Sequence, residues 1–140
     1  MSLEQYLPEN GEITARAEKE MRGFGNEPAM MTLVQTFGRR CIDKHKPRED
    51  EPIPVSKGKS LRATRTTFEG CEYRLIYVLV REDPKPGGAA ARAESSTRTT
   101  GRFVGLMSLN KKKRRLGPDA KKAWARSEAW LTENPNFKRL

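Results

Sequence analysis

The sequence predicts an α+β domain, and two kinds of pattern predict it. Three segments carry apolar residues at the three- and four-residue spacing of amphipathic helices: residues 12–21, 28–41 and 119–131. Three others have the composition and alternation of strands: residues 61–68, 71–80 and 103–109. In chain order, this predicts a small antiparallel sheet preceded by an N-terminal helical hairpin and followed by a C-terminal helix.

The helices are recognised by their ends as well as by their spacing. Gly23 and Gly25 terminate the first helical segment, and Pro28 stands where a second helix begins. Before them, residues 1–10 show no periodicity and are interrupted by Pro8, so a short, weak strand over residues 3–7 is an alternative that the sequence does not favour. The C-terminal helix follows Gly117-Pro118 and contains Trp124 and Trp130. These two rings either pack in the core, which their spacing favours, or stack on bases.

The strands differ in how much of their surface is apolar. Arg62 and Arg65 are three residues apart in the first strand, which places them on opposite faces. In the second strand both faces are apolar from Leu75 onward, which predicts a central strand covered on both sides. Arg74 lies where the second face of that strand turns polar. Glu69-Gly70 predicts a tight turn between the two strands.

Two segments between these elements are predicted to be irregular. Residues 44–60 contain three prolines and mixed charges, so we predict a connecting loop. His45 lies in it and is either a solvated residue, the default, or a catalytic one. Residues 81–102 carry Pro, Gly, Ser and Thr without apolar periodicity, so a disordered hairpin insertion is expected. The 140 residues make a single domain, 1–140.

The positive charge is concentrated in the middle of the chain. The whole sequence has a net charge of +10, and residues 57–115 hold 15 Lys and Arg against five Asp and Glu. Localised charge of this kind favours a polyanionic partner. Five consecutive cations, residues 111–115, directly follow the apolar strand 103–109 and Asn110. Such a run is either a solvated basic turn or a phosphate-binding loop fixed by the strand.

Other features limit the cellular setting and the chemistry. The sequence has no apolar stretch long enough for a transmembrane helix and no basic-then-apolar secretory signal, so we expect a cytoplasmic protein. Cys41 and Cys71 are the only cysteines and lack CxxC spacing, so we expect reduced, buried thiols and neither a zinc site nor a disulfide.

Three segments together resemble a known family. They are Arg62 and its neighbours in residues 61–65, Tyr73-Arg74-Leu75-Ile76-Tyr77, and Leu106-Met107-Ser108-Leu109-Asn110-Lys111-Lys112. With the helix after Pro118, in which Ala123 and Arg126 are three apart, they resemble the phage-derived, HigB-like branch of the RelE/ParE toxin superfamily. The resemblance covers about residues 61–131 without the insertion.

The sequence departs from the family pattern at three places. The family has a clear first strand at the N-terminus. It also has an aromatic residue where Leu109 stands and a polar residue where Met107 stands. The third lysine leaves the register of the family's lysine pair open between Lys111-Lys112 and Lys112-Lys113.

The resemblance implies a RelE-like fold and the toxin of a type II toxin–antitoxin pair. Such a toxin cleaves mRNA, in some cases on the ribosome, without a metal or cofactor, and its protein partner is an antitoxin. The 2′-hydroxyl of RNA is an internal nucleophile, so cationic side chains can supply much of the catalysis. The general base is either Tyr73 or a lysine whose pKa is lowered by neighbouring cations. The implied catalytic residues are Arg74, Lys111, Lys112 and Tyr73, and the implied RNA-binding residues are Arg62, Arg65, Lys113, Arg114 and Arg115.

Two alternatives remain open at the level of sequence. One is a phage or mobile-element protein that binds nucleic acid without cleaving it. The other is a gyrase inhibitor like the ParE members of the superfamily. Composition does not separate these functions.

Overall fold

A mixed sheet of six strands occupies the middle of the protein. In the computed structural model, the described residues are 3–42, 50–82, 101–110 and 116–139. The strands are β1 Gly11–Ile13, β2 Glu51–Ser56, β3 Lys59–Phe68, β4 Cys71–Glu82, β5 Gly101–Asn110 and β6 Phe137–Arg139. The helices are a 3-10 turn, Leu3–Tyr6, and the α-helices α1 Ala15–Arg22, α2 Glu27–Ile42 and α3 Gly117–Glu133. The α+β class predicted from the sequence is confirmed.

The strand order is β1-β5-β4-β3-β2. β6 pairs with residues 80–82 of β4, past the part of β4 that pairs with β3. The three strands and the C-terminal helix predicted from periodicity are present as β3, β4, β5 and α3. The turn between β3 and β4 has positive φ angles at both Glu69 and Gly70, which is the type I′ geometry of a two-residue hairpin. We call the end of the sheet where β3 and β5 finish and β4 begins the lower end.

The N-terminal part of the chain differs from the sequence analysis in three ways. β1 runs parallel to β5, so the sheet is mixed rather than antiparallel throughout. The alternative of a strand at residues 3–7 is wrong, because residues 3–6 form the 3-10 turn and the strand comes later. The first helix begins at Ala15 instead of residue 12, because Thr14 caps it by accepting a hydrogen bond from the Ala17 backbone N–H at 3.2 Å.

The loop predicted over residues 44–60 is wrong over 51–56, which form β2, and over 59–60, which begin β3. The prolines of this segment are the reason that a loop was predicted. Pro52 and Pro54 are tolerated because β2 is an edge strand and pairs only with β3. Residues 43–49, with His45, lie outside the described residues. At the predicted insertion, residues 81, 82, 101 and 102 belong to β4 and β5, and residues 83–100 lie outside the described residues.

Both faces of the sheet are covered by helices. One face packs Leu75 and Tyr77 against α1 and α2, and the other packs Ile76 and Val78 against α3. Leu75, Ile76 and Tyr77 are all fully buried, which confirms that β4 is covered on both sides from Leu75 onward. Among the helices that the structure describes, none combines the length and the apolar character needed to cross a membrane.

Candidate nucleic-acid interface

The lower end of the sheet brings together several of the predicted site residues. Arg65 of β3 lies directly opposite Arg74 of β4, and Arg74 lies opposite Leu109 of β5. Tyr73 lies opposite Asn110, the residue that precedes the basic run. The run itself, with Lys111, Lys112, Lys113, Arg114 and Arg115, lies outside the described residues. Arg65, Arg74 and the strand end that precedes the basic run therefore lie at the same end of the sheet.

Arg74 is part of an alternating chain of charges on the face covered by α3. Its Nε lies 3.0 Å from both carboxylate oxygens of Glu51, and its Nη2 lies 3.0 Å from Glu72 Oε2. Arg65 Nη1 adds a longer contact, 3.7 Å, to the other oxygen of Glu72. The chain Glu51–Arg74–Glu72–Arg65 therefore has two positive and two negative members. It carries no net charge.

Burial divides the two arginines of this chain. The Arg74 side chain is only 9% exposed, whereas that of Arg65 is 51% exposed. Carboxylates already occupy Nε and Nη2 of Arg74, so a phosphate that binds either nitrogen must displace one of them, which is costly for a nearly buried charge. Arg65 can accept a phosphate from solvent with little rearrangement. Of these two arginines, Arg65 is the accessible cation.

Tyr73 does not share a surface with Arg74. Successive strand residues point to opposite faces of a sheet, and Tyr73 belongs to the face covered by α1 and α2. Its side chain is buried, and its ring centre lies 4.9 Å from that of Phe24. The structure therefore separates Tyr73 from Arg65 and Arg74, although the chain places it next to Arg74.

Arg62 is also separated from the lower-end pair. It lies opposite Tyr77, on the face covered by α2, and donates a hydrogen bond from Nη1 to the backbone carbonyl of Asp50 at 3.4 Å. The sequence-based prediction that Arg62 and Arg65 lie on opposite faces is confirmed. They therefore cannot hold the same phosphate.

A buried polar network that the sequence did not indicate surrounds Asp50. Its carboxylate accepts hydrogen bonds from the Tyr77 hydroxyl and from Arg40, whose Nη2 lies 2.8 Å from Asp50 Oδ1. Asp50 is 7% exposed. The network joins the end of α2 to the start of β2 and the middle of β4. In the sequence, Asp50 lies in a charged stretch typical of a solvated loop, so no local pattern marks it as buried.

This network changes the proton affinity of two buried groups. Burial, and then the hydrogen bond to Asp50 and its charge, raise the pKa of Tyr77 far above its usual 10.0. Burial, and then the charge of Asp50, raise the pKa of Cys41 from 9.0 to about 12. Both groups are therefore neutral at physiological pH. A Tyr77 hydroxyl held in this way does not serve as a base.

The two tryptophans of α3 have different environments. Trp130 is 7% exposed, packs edge-on against Phe137 and donates from Nε1 to Glu12 Oε2 at 2.8 Å, so core packing is confirmed for it. Trp124 is only half-buried. The guanidinium of Arg139 lies 3.8 Å from its ring centre, a cation–π contact that occupies part of the ring.

The described residues contain no group of three or more His, Cys, Asp or Glu side chains arranged to hold a metal ion. Cys41 and Cys71 are both free thiols, the first buried and the second half-buried. Comparison with protein-family models, with curated proteins and with solved structures finds no match to this chain.

Proposed function

We propose that the chain is a RelE/HigB-like toxin that binds single-stranded mRNA at the lower end of its sheet and cleaves it. One observation carries this proposal: strand pairing puts Arg65, Arg74 and the strand end that leads into five cations next to one another. In this proposal the partners are mRNA, free or on the ribosome, and an antitoxin protein, and the protein acts in the cytoplasm.

The order of elements supports a RelE-like fold. A first strand before the two helices is part of the family pattern, and β1 supplies one although it has only three residues. The helices α1 and α2 then pack on one face of the antiparallel strands β3, β4 and β5, and α3 follows the basic run. In this proposal α1 and α2 are the helical hairpin of the family.

In the proposed reaction a lysine of the basic run, in its neutral form, takes the proton of a 2′-hydroxyl, and the 2′-oxygen attacks the adjacent phosphorus. The 5′-oxygen of the next nucleotide leaves and takes up a proton from a second, protonated lysine. Lys111 and Lys112 stabilise the charge that develops on the phosphate oxygens and the leaving oxygen. Arg65 binds a neighbouring phosphate, and Lys113, Arg114 and Arg115 bind other phosphates of the RNA. Arg74 acts mainly by holding Glu51 and Glu72, so we reassign it from a catalytic residue to a residue that organises this end of the sheet.

The second candidate is binding without cleavage, and two observations favour it. Arg74 is nearly buried between carboxylates, and Tyr73 is buried on the opposite face. Two of the four residues expected to be catalytic therefore do not face a common phosphate. A binding protein needs only the accessible cations.

A cleavage and binding experiment on the purified full chain separates the candidates. Single-turnover cleavage of a labelled single-stranded RNA and its dissociation constant are measured across a range of salt for the parent, Lys111→Ala/Lys112→Ala and Arg65→Ala. We expect the double variant to lower the saturated cleavage rate by about 10²-fold or more. Arg65→Ala should mainly weaken binding and reduce the log–log salt slope by about 0.7.

The exposed Arg39 of α2 provides the matched control, because Arg39→Ala removes one positive charge from a different surface. It should leave the cleavage rate unchanged. If the parent binds RNA but leaves it intact, the toxin activity is wrong and the binding function stands. If neither Arg65→Ala nor the lysine variant changes RNA affinity, the lower end is not the interface.

A further inference from the structure

The lower half of β5 has an edge that β1 does not reach. β1 pairs only with Phe103–Gly105, and β5 continues to Asn110. The register of β5 against β4 also shifts at this point: Tyr77 pairs with Gly105 and Ile76 with Met107, so Leu106 is an extra residue. A bulge of this kind bends a strand and leaves backbone groups without their usual ladder partners.

Two side chains bind the backbone along this edge. Arg126 of α3 donates from Nη1 to the carbonyl of Leu106 at 2.8 Å, and Glu20 of α1 accepts from the N–H of Ser108 at 3.2 Å. These are the kinds of group that a neighbouring strand would satisfy in a longer sheet. Each contact is a charge-assisted hydrogen bond, which is stronger than a backbone-to-backbone one.

The same two side chains bind each other in the fork geometry of a bidentate pair. Arg126 Nη1 lies 2.8 Å from Glu20 Oε1, and Nη2 lies 3.0 Å from Glu20 Oε2. Since α1 and α3 cover opposite faces of the sheet, the pair passes around its edge and joins the two helices. Ser108 is held further by its Oγ, which donates to the Ala17 carbonyl at 2.8 Å. Arg126 is thus bound to a carboxylate and a backbone carbonyl at once.

We propose that Glu20 and Arg126 are positioning residues, which replace a neighbouring strand along β5 and fix the direction in which β5 enters the basic run. Ser108 is only three residues before Lys111, so a change in the direction of β5 at Ser108 also changes where the chain enters the basic run. A displacement of about 1 Å can lower a catalytic rate by about 10²-fold. The inference deepens the proposed function and rests on it for its catalytic part.

Amide hydrogen exchange tests the structural half of the inference without RNA. We expect residues 106–110 of the full chain to exchange at least about 10-fold faster in Glu20→Ala and in Arg126→Ala, because the edge then opens locally. If either variant does not fold, Glu20→Gln and Arg126→Lys replace it. Glu18→Gln is the control, because Glu18 forms an exposed pair with Arg22 on the same helix at 3.4 Å. Unchanged exchange in every Glu20 and Arg126 variant would overturn the inference.

A charge-swap variant distinguishes this role from that of an ordinary ion pair. Glu20→Arg/Arg126→Glu keeps one charge of each sign, but it points a carboxylate at the Leu106 carbonyl and a guanidinium at the Ser108 N–H. We therefore expect the swap to rescue neither slow exchange nor cleavage. Full rescue of exchange would show that only the pairing matters and would overturn the proposal.

The catalytic half is measured by cleavage and affinity together. We expect Arg126→Lys to lower the saturated cleavage rate by about 10-fold or more, with less than about 3-fold change in RNA affinity. An affinity loss as large as the rate loss would contradict positioning. If the parent does not cleave RNA, the proposed function fails, and the exchange data alone decide whether Glu20 and Arg126 hold the strand.

Discussion

The guanidinium of Arg74 lies between carboxylates from two different strands, Glu51 of β2 and Glu72 of β4. The family resemblance implies that Arg74 is a catalytic residue, and the sequence places it where the second face of its strand turns polar. Its main partner is 23 residues earlier, in a segment whose prolines predicted a loop. The residues next to Arg74 in the sequence indicate which face of β4 it lies on, but they do not indicate that it pairs with Glu51.

We expect Arg74→Ala to lower the free energy of unfolding by about 2–3 kcal/mol, because Glu51 and Glu72 lose their shared cation. The loss is smaller than the roughly 3–5 kcal/mol typical of a fully buried pair, since both carboxylates keep some contact with water. Arg65→Ala, at the exposed end of the same chain, should cost less than about 1 kcal/mol. Urea unfolding of both variants checks this, and equal small losses would show that Arg74 does not hold β2.

The thiol of Cys41 should make the protein less stable in alkali. Its folded-state pKa is about 12 against 9.0 in the unfolded chain, so the folded state retains a proton that the unfolded state loses. The contribution of Cys41 to the free energy of unfolding is fully present below pH 9. It falls as the pH rises toward 12, by at most about 1.4 kcal/mol per pH unit. Urea unfolding between pH 8 and pH 11 measures it.

Cys41→Ala is the control for this prediction and should flatten the part of the curve that begins near pH 9. Tyr77→Phe should flatten only the part that begins near pH 10, since the raised pKa of Tyr77 acts in the same direction from a higher starting point. A pH profile that neither substitution changes would assign the alkaline loss to other groups.

At the scale of elements, the sequence predicts those helices and strands whose own residues show a clear period or end signal. β4 has twelve residues with a clear change from alternating to continuous apolar character, and α3 begins at a Gly-Pro signal, so both were located from local pattern. β1 has three residues and cannot show a period. β2 carries two prolines that are compatible with a strand only at an edge. Whether a strand is an edge depends on the whole sheet, which local pattern does not contain.

The turn between β3 and β4 offers an element-scale prediction. Glu69 has φ +50°, a conformation that costs energy for most residues but that asparagine adopts readily. We expect Glu69→Asn to raise the free energy of unfolding by about 0.4–1 kcal/mol. Glu69→Gln removes the same charge without the backbone preference and should give little gain. Thermal unfolding compares the three proteins, and an equal gain in both variants would attribute the effect to charge.

At the scale of the whole molecule, the sheet and its two helical layers form one unit to which residues 83–100 connect through a paired strand end. Arg81 of β4 lies opposite Gly101 of β5, so the hairpin is already closed where the described strands stop. The sequence predicted this segment as a disordered insertion, which stays a prediction.

Replacement of residues 83–100 by Asn-Gly should leave the fold intact. Glu82 and the two new residues then form a three-residue loop between Arg81 and Gly101, a common hairpin length. Shortening a flexible loop changes stability only slightly. Urea unfolding and RNA affinity of the shortened chain should match those of the parent within about 1 kcal/mol. Loss of folding would show that the removed residues pack against the sheet.

The parallel pairing of β1 with β5 has a consequence for the synthesis of the chain. Gly11 pairs with Phe103, and Glu20 pairs with Arg126, which is 106 residues later in the chain. At a translation rate of roughly 5–20 residues per second, these partners are made roughly 5–20 s apart. Throughout that interval α1 lacks β5, the strand that it packs against. If the protein is a ribonuclease, each copy therefore becomes harmful only when its own translation is nearly complete, so the message encoding it is read almost to the end before the product can act.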